Sequence, residues 1–212
     1  MTITITKNTF TEENHPWNCY IPSGATKLFI GTFPTGTRNR KYNFFYCSST
    51  NRFWEILSSV AGHPFELLSG VNAVDERERI LDKLKLGLTD MGKIIYRQQG
   101  SSKDHSLFPI EFMDIVQILH EHPAITTLIV SGNSQGNSSL SWFSIFCSLN
   151  NIKLNVKELE KQQATEISVA DRKVKVLLAY SPSRLSRVTT EKLIESYSKM
   201  LFESVTLLPN QV

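Results

Sequence analysis

Three features of this sequence predict an α/β fold, a three-layer α/β/α sandwich around a four-stranded, mainly parallel sheet. Short β-branched or aliphatic runs alternate with amphipathic stretches of helical period. Each short run ends in a small, polar, turn-rich segment. And 212 residues, 41% hydrophobic and 20% charged, give a globular chain with enough core for one domain over residues 1–212.

Lys27–Gly31 (KLFIG) is an apolar run closed by glycine and then Pro34, and reads as a buried strand. Asn51–Val60 places Phe53, Trp54, Ile56, Leu57 and Val60 on one side of a helix. Asp75–Lys85 reads as a charged surface helix, and Leu86–Thr89 as a second strand. Pro109 suits the first turn of a helix running to Glu121, with Pro123 beyond its end. Thr126–Val130 is a third strand, and Ser139–Leu149 an apolar helix with Trp142, Phe143 and Phe146. Residues 151–171 give no clear pattern beyond a short excursion. Lys173–Ala179 is the fourth strand, and Thr190–Phe202 the last helix.

Composition excludes several classes. The three cysteines, Cys19, Cys47 and Cys147, are odd in number, widely spaced and without a CxxC. That excludes a disulfide framework, a zinc ribbon and a four-cysteine iron–sulfur cluster within the chain. No apolar run approaches the roughly 20 residues that span a bilayer, and the N-terminus lacks a signal-peptide core. The expectation is a cytoplasmic monomer with no membrane partner, no metal and no cofactor. His120, Glu121 and His122 sit at a helix end and read as a positive cap rather than ligands.

The net charge of +3 is modest, but its distribution is uneven. Residues 14–54 contain no acid against Lys27, Arg38, Arg40, Lys41 and Arg52. Residues 172–190 contain none against Arg172, Lys173, Lys175, Arg184 and Arg187. If both stretches fold to one side they form a phosphate-attracting face.

In a parallel sheet, ligands bind beyond the carboxyl ends of the strands, so the four exits carry the search. Gly31 to Gly36 has the spacing of a phosphate-binding P-loop, but Thr37-Arg38 follows where Lys and Ser or Thr are needed. Residues 132–136 read G-x-S-x-G between strand and helix, the setting of a serine esterase's nucleophile elbow. All five histidines precede Ser134, against the chain order of that hydrolase fold. An esterase is kept only as a distant alternative.

A third reading joins several exits. Gly31-Thr32-Phe33-Pro34, then Phe44-Phe45-Tyr46 and Asn51-Arg52-Phe53-Trp54, resemble the uracil-DNA glycosylase superfamily. The stretch Phe45 to Trp54 echoes the Tyr-Tyr-x-His-Pro-x-Asn-x-Phe-Trp of its hypoxanthine (deoxyinosine) glycosylase branch, with the mismatch-specific uracil glycosylases also near. Gly100 to Asp104 is similar to that branch's Arg-x-Gly-Ser-x-Asp stretch, and Ser181 to Arg187 resembles the superfamily's H/N-P-S-x-L-S motif. With His15-Pro16-Trp17 and the third exit, the likeness spans nearly the whole chain.

The resemblance implies a monofunctional glycosylase that hydrolyses the N-glycosidic bond of a flipped deaminated base, hypoxanthine or uracil, in DNA and leaves an abasic site. It implies that Asn51 positions water and that Phe45 or Tyr46 is the floor of the base pocket, with Thr32 and Phe33 beside it. Ser181 takes the place of the residue that donates to the developing charge on the base, and Ser131 or Asn133 reads the base edge. Ser183, Arg184, Leu185, Ser186 and Arg187 hold DNA, with Arg184 and Leu185 at the wedge. Two departures stand out. Phe33 occupies the place where many relatives carry Asp, Glu or Asn, and Ser181 is a shorter donor than His or Asn. A non-catalytic relative that binds nucleic acid or a free base is therefore the alternative. Asn51 also suits a helix N-cap, and the two roles can coexist.

Overall fold

The computed structural model describes residues 10–63, 65–66, 70, 72–132, 136–169 and 171–202. Its main sheet has the strand order β3-β2-β6-β8-β7, formed by β2 (Lys27–Gly31), β3 (Leu86–Asp90), β6 (Thr127–Ser131), β7 (Ala164–Val169) and β8 (Arg172–Ala179). The first four in that order run parallel, and β7 turns back antiparallel to β8 at the edge. The sheet thus has five strands rather than the expected four. The fifth comes from the unclear stretch 151–171, which forms α5 (Val156–Gln162) and β7.

Side chains alternate across the sheet with period two, and each face gathers its own core. Leu28, Ile30, Leu128, Val130, Val174, Val176 and Leu178 pack with α3 (Ile115–Glu121), α4 (Ser139–Leu149) and α5. Phe29, Leu86, Leu88, Ile129, Leu177 and Ala179 pack with α1 (Phe53–Ala61), α2 (Asn72–Leu84) and α6 (Thr190–Phe202). Helices on both faces of a mostly parallel sheet make the expected three layers.

A second sheet was not legible in the sequence. β1 (Phe10–Asn14), β4 (Gly92–Gln98) and β5 (Leu107–Phe112) form it, antiparallel, in the order β1-β4-β5. Pro109 therefore lies in an edge strand and not in a helical turn; an edge has one side free of ladder bonds, so the missing N–H costs little there. The helix begins later, where the Asp114 side chain caps the Gln117 N–H at 2.9 Å.

Candidate active site

The carboxyl ends of β2, β3, β6 and β8 lie side by side, so the segments after Gly31, Asp90, Ser131 and Ala179 converge. Pairing runs on past the first two: Met91 N–H donates to the Gly31 carbonyl (2.9 Å) and Gly92 N–H to that of Thr32 (3.0 Å). At Gly31 a Cβ would stand 2.1 Å from Asp90 Oδ1 and 2.7 Å from the Tyr46 hydroxyl. Only glycine admits both polar groups over the strand end.

Asp90 is 5% exposed. Its Oδ2 lies 3.0 Å from His15 Nε2, and His15 Nδ1 lies 2.6 Å from the Trp17 carbonyl. The segment leading out of β1 thus crosses the β3 exit and clamps one oxygen of the carboxylate. No hydrogen bond among the described residues claims the other oxygen.

Tyr46 stacks on Phe53 with centroids 3.9 Å apart and planes at 21°. Its hydroxyl is 3.4 Å from Ser131 Oγ. Its backbone is left-handed, with φ 50°, a conformation that costs a side-chain-bearing residue about 1–2 kcal/mol. The turn is held by Lys41 N–H donating to Cys47 O (2.9 Å), the Tyr42 hydroxyl to Tyr46 O (2.9 Å) and Trp54 Nε1–H to Phe45 O (2.9 Å). Burial, and then the Asp90 carboxylate, hold the Tyr46 phenol well above its ordinary value, so it remains a protonated donor.

Two expected pocket residues face elsewhere. Phe45 is 1% exposed, enclosed by His15, Trp17 and Phe44, and offers no free ring face to a base. Alternation along the chain turns it inward while the left-handed turn sends Tyr46 to the strand ends. Phe33, 8% exposed, packs edge-on beneath His15 at 5.4 Å and under the Arg97 guanidinium at 5.7 Å. It is a core residue and supports the site from below. Thr32 is half-buried and contributes its carbonyl to Gly92.

Asn51 stands one residue before the N-cap of α1, a position held by Arg52 without a side-chain cap bond, rather than at the cap itself; its Oδ1 accepts from Phe53 N–H at 2.9 Å in a local turn. It also forms a backbone bridge with Ser183, flanked by Arg52 N–H donating to Pro182 O (3.0 Å) and Arg184 N–H to Thr50 O (3.2 Å). The Asn51 and Ser181–Arg187 motifs, far apart in sequence, are thereby joined. In the latter loop the Ser181, Ser183 and Ser186 hydroxyls accept from the N–H two residues on, at 3.3, 3.2 and 3.3 Å for Ser183, Leu185 and Val188. These turns push Leu185 outward, where it is 91% exposed, between exposed Arg184 and Arg187. Arg184 touches Glu55 across 3.4 Å at the surface, a contact of little energetic weight. Asn133 and Ser134 lie outside the described residues, so the base-edge alternative at Asn133 and the esterase nucleophile have no described geometry.

The basic stretches divide. Arg38, Arg40, Lys41, Arg184 and Arg187 belong to the exit loops, whereas Lys27, Arg172, Lys173 and Lys175 lie toward the amino ends of β2 and β8. The two stretches therefore do not form one face. Arg172 donates to the Pro123 and Leu119 carbonyls behind α3, and Lys173 pairs with Glu166 at 2.9 Å. Arg52, expected on the basic surface, is buried and ties the 183–190 segment down through Ser183 O (3.0 Å), Val188 O (3.0 Å) and the Thr190 hydroxyl (3.2 Å).

Arg97 and Asp104 escaped the sequence reading as site-building residues. Arg97, 0% exposed, donates to Pro34 O (2.8 Å), Ser101 O (2.6 Å) and Glu13 (2.8 Å), joining the β2 exit, the 100–104 loop and β1. The loop is tied further by Thr35 and Asn39, each donating to Ser102 Oγ at 2.8 Å. Asp104 sits at its end, and its carboxyl is pushed up to about 6 by crowding protein first and by Asp90 second, with Arg97 and His105 pulling the other way. No group of three or more His, Cys, Asp or Glu side chains among the described residues is placed to hold a metal ion. No described helix is long and apolar enough to cross a membrane.

No family model matches this chain, and no curated protein does. Among solved structures, the chain is similar to the solution NMR structure of a "putative Uracil DNA glycosylase" from Methanosarcina acetivorans. The TM-score is 0.60 at 14% identity, over 90% of this chain and 99% of that one. At that identity the likeness establishes a shared fold across nearly the full length of both chains.

Proposed function

We propose that this chain is a DNA glycosylase which hydrolyses the N-glycosidic bond of a flipped, deaminated base, uracil or hypoxanthine, and leaves an abasic site. The observation that carries the reading is the backbone bridge between Asn51 and Ser183, which joins the Asn51 turn to the Arg184-Leu185-Ser186-Arg187 loop beside the strand exits. A fold shared with the Methanosarcina acetivorans protein supports it.

Flipping costs a few kcal/mol of unstacking. Leu185 as a wedge, Arg184 and Arg187 on phosphates, and Tyr46 as the pocket wall offset that cost. Bond breaking leaves a cationic sugar and an anionic base, which calls for placed dipoles and a held water rather than a strong base. Asn51 fits that need: its Oδ1 has a second lone pair beyond the one given to Phe53, and its NH2 is a donor. The hydroxyls of Ser131 and Ser181 are the remaining donors near the base.

A second reading, a non-catalytic binder of nucleic acid or of a base, is favoured by Phe33, which packs in the core and offers no polar group to a water. Excision assays separate the two. Oligonucleotides carrying one uracil, hypoxanthine or xanthine are incubated with the protein and cleaved at abasic sites, with Asn51→Ala in parallel. Excision that falls about a hundredfold or more in the variant supports the proposal. Tight binding without excision at high protein establishes the binder.

A further inference from the structure

Resting on the glycosylase reading, we infer that Asp90, oriented by His15, is the specificity residue of this site: it selects bases whose ring presents an N–H beside a carbonyl and rejects those with a bare ring nitrogen beside an amino group. Asp90 has three properties that no other acid at the strand ends combines. It is nine-tenths buried, one oxygen is clamped by His15 at 3.0 Å, and the other stands over Gly31 at the β2 exit with no hydrogen-bond partner among the described residues. Asp90 as a whole is buried, but this oxygen is not among the fully enclosed polar atoms, so a ligand N–H can reach it in place of water. Beside it lie hydroxyls: the Tyr46 hydroxyl, within 2.7 Å of the same point over Gly31, and Ser131 Oγ, 3.4 Å from that hydroxyl. The strand ends therefore present an acceptor-only group next to donors.

The complement is a lactam edge, N–H next to C=O. Deamination creates that edge. Adenine and cytosine carry a ring nitrogen lone pair beside an amino group; hypoxanthine and uracil carry a ring N–H beside a carbonyl. Facing Asp90, the parent bases set a ring-nitrogen lone pair against an acceptor-only carboxylate, so that contact is lost, while the hydroxyls, which accept as well as donate, tolerate either a carbonyl or an amino group. Sites built around such groups reject the mismatched analogue far more strongly than apolar pockets do, because the buried partner is left bare. Guanine and thymine share the lactam edge, so Asp90 distinguishes a deaminated base from its parent and leaves those two to pocket shape. His15 acts through Asp90: with its Nδ1 against the Trp17 carbonyl, it fixes which oxygen turns to the pocket.

The test is binding of free bases, read at the His15 imidazole by NMR, with hypoxanthine, 1-methylhypoxanthine and adenine as probes. Hypoxanthine is expected to shift the His15 signals at concentrations at least tenfold lower than the other two. Asp90→Asn, whose amide can either donate or accept, should bring the three within about twofold of one another while the fold, read from the remaining spectrum, persists. Equal binding of hypoxanthine and 1-methylhypoxanthine by the wild-type protein overturns the inference, as does unchanged selectivity in Asp90→Asn. The same probes placed in DNA separate this from the glycosylase reading. Equal excision of hypoxanthine and 1-methylhypoxanthine overturns the role of Asp90 and keeps the glycosylase. Selective binding with no excision keeps the role of Asp90 and overturns the glycosylase.

Discussion

Both ends of the parallel sheet carry basic residues and use them differently. At the amino end, Arg172 is spent on the carbonyls of Pro123 and Leu119, and Lys173 on Glu166. Burial first, and then the neighbouring Lys175, lower the Lys27 amine below its ordinary value. At the carboxyl end the labour is divided. Arg52 and Arg97 are buried and hold loops, while Arg184 and Arg187 remain exposed around an outward leucine. A charge run in the sequence marks neither end by itself; the direction of the strand beneath it decides whether it faces a ligand site.

The sharpest way to break this contrast is at Arg97. It ties three segments of the exit end together from a fully buried position, and Arg97→Ala leaves Glu13 and two carbonyls without it. A loss of about 3 kcal/mol in urea-unfolding stability is expected, and Arg97→Lys should recover little, because one ammonium cannot span the three directions. Next is Tyr46→Ala. Base–aromatic stacking contributes roughly 1–3 kcal/mol, so binding of DNA with a flipped target base should weaken about tenfold or more, with binding of undamaged duplex little changed. Fluorescence anisotropy on the two duplexes reads that difference. Leu185→Ala should leave the unfolding free energy within about 0.5 kcal/mol of wild type, as for any exposed surface change, yet slow excision from duplex more than from single strands.

The smallest effect belongs to Asp104. Its carboxyl, raised from 3.8 to about 6, binds a proton in the folded state that the unfolded chain releases earlier. Its contribution is thus full below about pH 3.8 and is lost as pH rises through about 6. In Asp104→Asn the fall in melting temperature between about pH 5 and 7 should be shallower than in the wild type, a difference that thermal melts at the two values detect.

The sequence reading succeeded where the signal is local. Lys27–Gly31, Ser139–Leu149 and Thr190–Phe202 have the bounds that periodicity gives them, since each is one apolar face or run closed by a cap or glycine. Pro109 misled because a proline suits both a first helical turn and an edge strand, and only the presence of β4 beside it decides. The fifth strand, β7, was illegible because its alternation is short and its partner is β8 in a hairpin turned at residue 171. Of the proposed site, the candidates Tyr46 and Asn51 were visible because an aromatic and an amide follow the first strand at short spacing. The pairing of His15 with Asp90 was not, since they meet across 75 residues and no spacing encodes it. Arg52 looked like surface charge, and Arg97 drew no notice, for the same reason: burial of an arginine is a property of the loops it ties, not of its neighbours in sequence.

The contrast between the two ends is tested most directly by the salt dependence of duplex binding in variants of each. Each phosphate contact contributes about 0.9 to the slope of log affinity against log salt. Arg184→Ala and Arg187→Ala should each reduce that slope by about 0.9, whereas Lys173→Ala at the amino end should leave it unchanged. A slope that falls with Lys173→Ala and not with the two exit arginines would place the nucleic acid at the wrong end of the sheet and contradict the account.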